Sequence, residues 1–276
     1  MKDMRVVTIQ DISCFGQCSL TVALPVISAC GVETVVIPTA VLSTHTTGFT
    51  GFTCRDLGDD IPAIAAHWKS LSLTFDAVYT GYLGSCQEVA DVLDFMEAFS
   101  CLRIVDPAMA DNGVLYHAFD KAYVAEMKKL CGAADMLLPN ITEASMLTDF
   151  PYKTEYDESY IRELISRLHD LGAKTVILTG VSFREGKTGV AVSENGSYSY
   201  YEHRRIDRSC HGTGDVYASS FVGALMNGCD AFSAAKIAAE FTMSCIENTL
   251  GDEKHWYGVK FESMLPKLIE EVRGKQ

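Results

Sequence analysis

Short apolar runs rich in β-branched residues recur along the chain, and segments with apolar residues three and four positions apart separate most of them. Strands that alternate with amphipathic helices in this way predict a parallel sheet covered on both faces. The predicted fold class is therefore α/β, a three-layer α/β/α sandwich around a central, mostly parallel sheet. The apolar runs are RVVTIQ (5–10), ETVVIPT (33–39), FDAVYTGYL (75–83), LRIVDPAM (102–109), ADMLLPN (134–140) and KTVILTG (174–180). The clearest helical segments are 86–99, 117–131 and 157–171.

The last third of the chain departs from this alternation. Residues 189–205 alternate around Asn195-Gly196, which is a strong signal for a β-hairpin. Beyond residue 211 the pattern becomes helical, with segments at about 212–228, 231–248 and 260–273. The middle segment is rich in small apolar residues, so we expect it to pack closely on the sheet.

One connection is unusually long. Residues 42–60 (LSTHTTGFTGFTCRDLGDD) are rich in Thr and Gly and show little periodicity. Long connections without regular structure are usually functional or mobile. The chain has no internal repeat and no Pro/Gly/Ser-rich linker, so we expect residues 1–276 to form a single domain that includes this mobile segment.

Composition narrows the possible classes of function. The chain has 276 residues, of which 48% are hydrophobic, and a formal net charge of −13. Such an acidic surface disfavours nucleic acid and anionic membranes as partners. The ten cysteines are scattered and the N-terminus shows no secretion signal, so we expect reduced thiols and a cytoplasmic location. An anionic ligand would have to be bound by helix N-termini, a few cations or a metal ion.

Polar residues lie at one end of nearly every predicted strand, which is where open α/β sheets bind their ligands. These strand ends are Gln10-Asp11, Asp106-Pro107, Pro139-Asn140, Thr179-Gly180 and the loop that leads into Gly212. They are the first specific indication of a binding site.

The segment HGTGDVYASS (211–220) is the strongest candidate for chemistry. A helix that begins near Gly212 directs its first N–H groups toward a ligand, and its dipole favours an anion there. Asp215 in the first turn would then accept a proton from a hydroxyl that attacks phosphorus. The alternative is that Thr213 or Asp215 only caps the helix. The segment is neither a Walker loop nor a dinucleotide fingerprint.

A second pair of polar residues also has two interpretations. In PNITEASML (139–147), Asn140 and Glu143 have the spacing of a helix capping box. They could equally lie near phosphates and bind magnesium directly or through water. Asp106 and Asp111 in VDPAMADNG (105–113) favour a cation, since neighbouring carboxylates otherwise repel each other.

Several residues near the first two strands could bind a polar substrate. Asp11 follows the first strand, and Thr46 and Thr47 lie in the long connection. We assign no catalytic role to His45, because a lone histidine is more often structural. His211 precedes Gly212 and is either a neighbour of phosphate or an exposed loop residue.

The ordered motifs TIQD, STHTTG, TGYLGS, VDPAM, LLPNITEA, VILTG and GTGD resemble those of the pyridoxal/pyridoxamine kinases of vitamin B6 salvage, within the ribokinase-like superfamily. The resemblance runs from about residue 4 to about residue 250. GTGD marks the superfamily, and STHT, TGYLGS and DPAM together narrow it to the B6 kinases. It implies a ribokinase-like fold and ATP-dependent phosphorylation of the 5′-hydroxymethyl group of pyridoxal, pyridoxamine or pyridoxine.

The resemblance also implies roles for individual residues. Asp215 would be the general base, and Gly212, Thr213 and Gly214 would form an anion hole for the transferring phosphoryl group. The residues that would contact the substrate are Asp11, Thr46, Thr47 and Tyr82. Those that would contact ATP are Asp106, Asn140, Glu143, Thr179, Arg204, Arg205 and Ile206.

The resemblance also implies that Asp106 and Glu143 would bind Mg²⁺ and that residues 42–60 would cover the substrate. Whether the protein also uses a monovalent cation such as K⁺ is left open. Members of the family are usually homodimers. One position departs from the pattern: Asp11 stands where the B6 kinases have Ser, and a carboxylate can only accept hydrogen bonds. Two alternatives remain, namely hydroxymethylpyrimidine kinase of thiamine synthesis and a non-enzymatic vitamer-binding protein.

Overall fold

The strand that the first apolar run predicts, β1 (Arg5–Ser13), is buried on both faces. Its side chains alternate between two cores, so that Val7 and Ile9 pack on one face of the sheet and Val6 packs on the other. A strand buried on both faces is typical of the centre of a parallel sheet. The computed structural model describes residues 4–208 and 210–274.

In the described residues, β1 is an interior strand of a nine-stranded sheet with the order β11-β10-β9-β8-β5-β4-β1-β2-β3. Strands β1, β2, β4, β5, β8 and β9 are parallel, and β3, β10 and β11 are antiparallel to their neighbours. The bounds are β2 (Glu33–Leu42), β3 (Cys54–Asp56), β4 (Ala77–Thr80), β5 (Leu102–Val105), β8 (Met136–Leu137), β9 (Thr175–Val181), β10 (Lys187–Glu194) and β11 (Ser197–Arg204). A separate hairpin is formed by β6 (Ala110–Asp111) and β7 (Val114–Leu115).

Helices cover both faces of this sheet. One core is formed with α2 (Asp60–Ser70), α3 (Cys86–Ala98), α4 (Lys121–Gly132), α5 (Ile141–Leu147) and α6 (Glu158–Asp170). The other core is formed with α1 (Leu20–Ala29), α7 (Thr213–Met226), α8 (Ala231–Thr249) and α9 (Leu265–Arg273). The predicted three-layer α/β/α class is therefore confirmed. Among the helices of residues 4–208 and 210–274, none is long and apolar enough to cross a bilayer.

Most predicted elements are present, and the hairpin turns at Asn195-Gly196 as expected. The predicted helix at 260–273 is divided into a 3₁₀ turn (Glu262–Met264) and α9. The first strand runs three residues past its predicted end, so Asp11 lies inside it. This extension follows the pairing with β2, which continues through a bulge between Gln10 and Ile12 to Ser13.

The interpretation of residues 42–60 as a connection without regular structure is wrong in part. It contains the short edge strand β3, which pairs antiparallel with the end of β2, and it ends at the start of α2. All three residues of β3 are exposed, so the strand has no alternation of buried and exposed positions by which the sequence could have indicated it. The mobility of this segment stays a prediction.

The order of the strands places a crevice between β1 and β4. The chain leaves β1 through α1 on one face of the sheet and leaves β4 through α3 on the other face. Such a reversal opens a space between the two connections at the carboxyl ends of the strands. Asp11 near the end of β1 and Tyr82 after β4 lie at this position.

Candidate active site

The beginning of α7 approaches the loop after β1 very closely. Gly212 is the N-cap residue, with φ of 71° in the left-handed region. A Cβ atom there would lie 1.7 Å from the carbonyl oxygen of Gln17, so only glycine fits. At Gly214 a Cβ atom would meet nothing within 4 Å, so the space beside this residue is open. The amides of Thr213 and Gly214 have no acceptor within the helix, because first-turn N–H groups never do.

Asp215 lies in this first turn and is half-buried. Burial, which the backbone N–H of Ser19 partly offsets, and the charge of Asp11 together raise the pKa of its carboxyl group to about 7. The N-cap residue is Gly212, which has no side chain, so Asp215 is not the cap of α7. Its carboxylate can therefore accept a proton near neutral pH.

The carboxyl group of Asp106 lies near those of both Asp215 and Glu143. Burial and the charges of Glu143 and Asp215 raise the pKa of Asp106 well above its ordinary value. Burial raises the pKa of Glu143 to about 8, although three backbone N–H groups partly offset this. The three carboxyl groups thus form a site in which negative charge is costly unless a cation is present.

The capping-box interpretation of Asn140 and Glu143 is confirmed. Asn140 Oδ1 accepts from the Glu143 backbone N–H at 2.9 Å, and Glu143 Oε2 accepts from the Asn140 backbone N–H at 2.8 Å. Glu143 Oε1 also accepts from the Met109 N–H at 3.2 Å, and Asn140 Nδ2 donates to the Ala110 carbonyl at 2.8 Å. The same pair therefore fixes the loop that carries Asp106 onto α5.

Asp11 is buried near the end of β1, with 4% of its surface exposed. Its Oδ2 accepts a hydrogen bond from Ser13 Oγ at 2.9 Å. Burial raises the pKa of Asp11, and hydrogen bonds from Ser19 and Ser13 and the charge of His45 lower it by less. A buried acceptor of this kind favours a substrate that offers a donor or a positive charge.

His45 is buried rather than peripheral. Its Nε2 lies 2.9 Å from the carbonyl oxygen of Tyr257, and since a carbonyl only accepts, Nε2 carries the proton. Its ring lies 5.3 Å from the ring of His211 and 4.9 Å from that of Phe49. His45 thus joins the long connection to the C-terminal part of the chain.

Residues 255–257 form part of the site without any motif to indicate it. The rings of Phe49 and Trp256 lie 4.6 Å apart, as do those of Phe15 and Tyr257. His255 Nε2 lies 2.7 Å from Gln17 Oε1. These residues follow α8 and were not predicted from the sequence, because three aromatic residues in a loop form no periodic pattern.

The other predicted substrate residues are in different environments. Thr46 and Thr47 are exposed, whereas Tyr82 is half-buried, with its ring 5.4 Å from that of Phe119. Burial and the charge of Asp11 raise the pKa of Tyr82 to about 12. Glu88, which had not been predicted, is buried beside Tyr82 and accepts from the Gly84 N–H at 2.8 Å.

The predicted nucleotide residues lie along the far half of the sheet. Thr179 pairs with Asn140 in an isolated bridge, and its N–H donates to the Pro139 carbonyl at 2.9 Å. The N–H of Arg205 donates to the Gly186 carbonyl at 2.9 Å, and Ile206 is half-buried beside it. Arg204 instead pairs with Glu247 on α8.

The fold and this arrangement define the class, a kinase of the ribokinase-like superfamily. The family model described as phosphomethylpyrimidine kinase matches residues 20–259, and the chain belongs to this family, which also includes pyridoxal kinases.

Known proteins that resemble the chain carry two kinds of name. A Bacteroides thetaiotaomicron structure described as a phosphomethylpyrimidine kinase is 37% identical, covers 97% of this chain and 94% of its own, and has a TM-score of 0.93. A second crystal form of that protein is described as containing pyridoxal. Pyridoxal kinase from Lactobacillus plantarum is 31% identical over 96% of each chain, with a TM-score of 0.90.

A curated relative is the thiamine biosynthetic bifunctional enzyme TH1 of Arabidopsis thaliana. It is 28% identical over 199 residues, which are 67% of this chain but only 38% of the longer enzyme. The relatives therefore establish the kinase family and divide between B6 and thiamine substrates.

Gly212→Ala tests the close approach at the start of α7. We expect it to lower the free energy of unfolding by about 2 kcal/mol or more, because the new Cβ atom would collide with the Gln17 carbonyl and φ would be strained. Gly214→Ala is the matched control and should leave stability unchanged or raise it by up to about 1 kcal/mol. Urea unfolding measures both, and equal stability of the two variants would contradict the geometry.

Asp215→Asn tests the raised pKa of Asp215. The unfolded chain ionises this carboxyl near 3.8, whereas the folded chain does so near 7, so above pH 7 the folded state bears the cost of a buried charge. We expect the variant to be more stable than the wild type by about 1–3 kcal/mol at pH 8, with the gain fading as the pH falls from 7 toward 4. Asp94→Asn, at an exposed position of α3, should show no such trend in urea unfolding.

Proposed function

We propose that this protein is an ATP-dependent kinase that phosphorylates the 5′-hydroxymethyl group of a B6 vitamer, namely pyridoxal, pyridoxamine or pyridoxine. The observation that carries the proposal is the position of Asp215. Its carboxyl group, with a pKa of about 7, lies in the first turn of α7 beside amides that have no acceptor within the helix. A base next to an anion-binding helix terminus suits phosphoryl transfer to an alcohol.

In this reaction, Asp215 accepts the proton of the substrate hydroxyl as its oxygen attacks the γ-phosphorus of ATP. The bond from that phosphorus to the bridging oxygen breaks, and ADP leaves. The amides of the Gly212–Gly214 segment donate to the transferring phosphoryl group and stabilise its charge. The helix dipole of α7 favours the same anion.

The residues present fit a magnesium ion. Asp106 is a candidate direct ligand, since its carboxyl group has a pKa raised by burial and by neighbouring carboxylates and lies at the end of β5. Glu143 uses both oxygens for backbone N–H groups, so it suits a contact through water. Bound Mg²⁺ would neutralise phosphate charge. The Asn140–Glu143 capping box then holds these ligands in position.

At the nucleotide end, Thr179, Arg205 and Ile206 remain the proposed ATP contacts. Neighbours of the same fold are described with ADP, including pyridoxal kinase from Leishmania donovani. The family resemblance further supports a cytoplasmic homodimer.

The substrate end supports a B6 vitamer through Asp11. A buried carboxylate at this position suits a protonated ring nitrogen or a ring hydroxyl, both of which pyridine vitamers offer. Tyr82 would contact the ring, with Thr46 and Thr47 in the segment that covers it. The Bacteroides relative described with pyridoxal supports the same choice.

Hydroxymethylpyrimidine kinase is the alternative activity, and the description of the matching family favours it. Its substrate also carries a hydroxymethyl group on a nitrogen heterocycle, so the same base and anion site would serve. A non-enzymatic vitamer-binding protein is disfavoured, because it would have no need of a base beside an open helix N-terminus.

The deciding experiment measures ADP release with pyridoxal, pyridoxamine, pyridoxine and hydroxymethylpyrimidine side by side. We expect turnover with at least one vitamer and a higher kcat/KM than for the pyrimidine. In the same assay, Asp215→Ala should lower kcat by about 10² or more with near-normal ATP binding, as loss of a positioned base does. A kcat within twofold of the wild type would rule out Asp215 as the base.

Asp11→Ser tests the substrate end alone. It restores the residue usual in B6 kinases and removes the buried charge. We expect kcat/KM for the preferred vitamer to fall by about tenfold, because a charge-assisted hydrogen bond is lost, while KM for ATP stays unchanged. Ser13→Ala, which removes only the partner of Asp11, should have the smaller effect. An unchanged order of preference among the vitamers in Asp11→Ser would show that Asp11 does not select them.

A further inference from the structure

Three polar side chains are completely buried directly beneath the proposed catalytic base. They are Gln10 on β1, Tyr79 on β4 and Ser219 on α7, each with 0% of its surface exposed. Tyr79 packs in the core formed with α1, α7 and α8. Ser219 lies one helical turn after Asp215, so the two share a face of α7. These groups lie in the interior, where an apolar residue would ordinarily pack.

Each of the three carries an unused hydrogen-bonding atom. Within residues 4–208 and 210–274, Gln10 Oε1, Tyr79 Oη and Ser219 Oγ have no partner at hydrogen-bonding geometry. The amide of Gln10 is held in place, because its Nε2 donates to Thr8 Oγ1 at 2.8 Å. Buried polar groups are almost always paired, because leaving one unpaired costs stability. Because three such atoms lie close together, we expect them to form hydrogen bonds with one another.

The three atoms are complementary as donors and acceptors. Burial, together with the charges of Asp106 and Asp215, raises the pKa of the Tyr79 phenol well above its ordinary value, so the hydroxyl keeps its proton. The side chains of Ser219 and Gln10 both lie near the Tyr79 hydroxyl. The Tyr79 hydroxyl can thus donate to Gln10 Oε1 and accept from the Ser219 hydroxyl. Small rotations of these side chains satisfy all three groups.

The first turn of α7 has no side-chain cap, since its N-cap residue is Gly212. It contacts the loop after β1 through Gly212 at Gln17 and through Asp215 at the Ser19 backbone N–H. The sheet beneath it is rigid, because β1 and β4 are central strands that pair with each other. A connection from these strands to Ser219 would fix the position of Asp215 relative to a bound substrate.

We propose that Ser219, Tyr79 and Gln10 act as one hydrogen-bonded unit that joins α7 to the central strands, and that Tyr79 is thereby a positioning residue for Asp215. This inference rests on the proposed function, in which Asp215 takes the proton of the substrate hydroxyl. Displacement of a catalytic group by a fraction of an ångström lowers the rate of the chemical step and leaves substrate binding largely intact.

The test compares Tyr79→Phe, Ser219→Ala and the double variant in the full-length enzyme. We expect each single variant to lower kcat by about 5–10-fold, with KM for both substrates within twofold of the wild type. The double variant should have a kcat no lower than that of the worse single variant, because the groups act as a unit. Tyr217→Phe is the matched control: its hydroxyl is also buried and unpartnered among the described residues, but the raised pKa of Tyr217 comes from burial alone. It should stay within twofold of the wild type.

A Tyr79→Phe variant with the kcat of Tyr217→Phe, or single effects that multiply in the double variant, would overturn the inference. So would a rise in KM at constant kcat, which would place these residues in substrate binding. A wild-type protein without turnover would instead reject the proposed function. In that case the unit is tested by urea unfolding of the same four variants, where additive losses at Tyr79 and Ser219 would exclude it.

Discussion

Burial of three carboxyl groups at one edge of the sheet is the constraint on which the rest of the site depends. Asp106, Glu143 and Asp215 each have a raised pKa, and desolvation is the largest cause for all three. Such an arrangement is unfavourable for the isolated chain at neutral pH. In the proposed kinase, a cation and a phosphorylated ligand would occupy this space and offset the cost of the buried charges.

Two local structures hold these carboxyl groups in place although their burial is unfavourable. The capping box of Asn140 and Glu143 ties the loop after β5 to α5, and so serves structure and site together. At α7 the same purpose is met by a close approach of main chains, which only glycine at position 212 allows. The structural and functional interpretations of Asn140 and Glu143 are therefore not exclusive. A residue that caps a helix can also orient what lies beyond its N-terminus.

The region around Asp11 is stabilised by different interactions, namely aromatic packing and contacts between distant loops. His45 and the aromatic residues at 255–257 connect the long segment after β2 to the C-terminal loop, and Asp11 is buried beneath them. In the proposed kinase, aromatic packing and one buried acceptor would select the heterocycle, while the reaction would depend on α7. Such a separation would allow one kinase family to contain relatives named for B6 and for thiamine substrates.

The sequence by itself determined the alternation of strands and helices, the start of α7 near Gly212 and the set of polar strand ends. These features depend on local periodicity and on the backbone freedom of glycine, both of which are visible over a few residues. Only the tertiary structure decided which distant groups come together: His45 with the backbone carbonyl of Tyr257, 212 positions apart, and the buried Tyr79 of β4 with the core formed by α7. It also extended β1 past Asp11 and formed β3 in a segment without a pattern. Hydrophobic periodicity indicates which face of a strand or helix is buried. The packing of segments that are distant in the sequence decides which residues that face contacts.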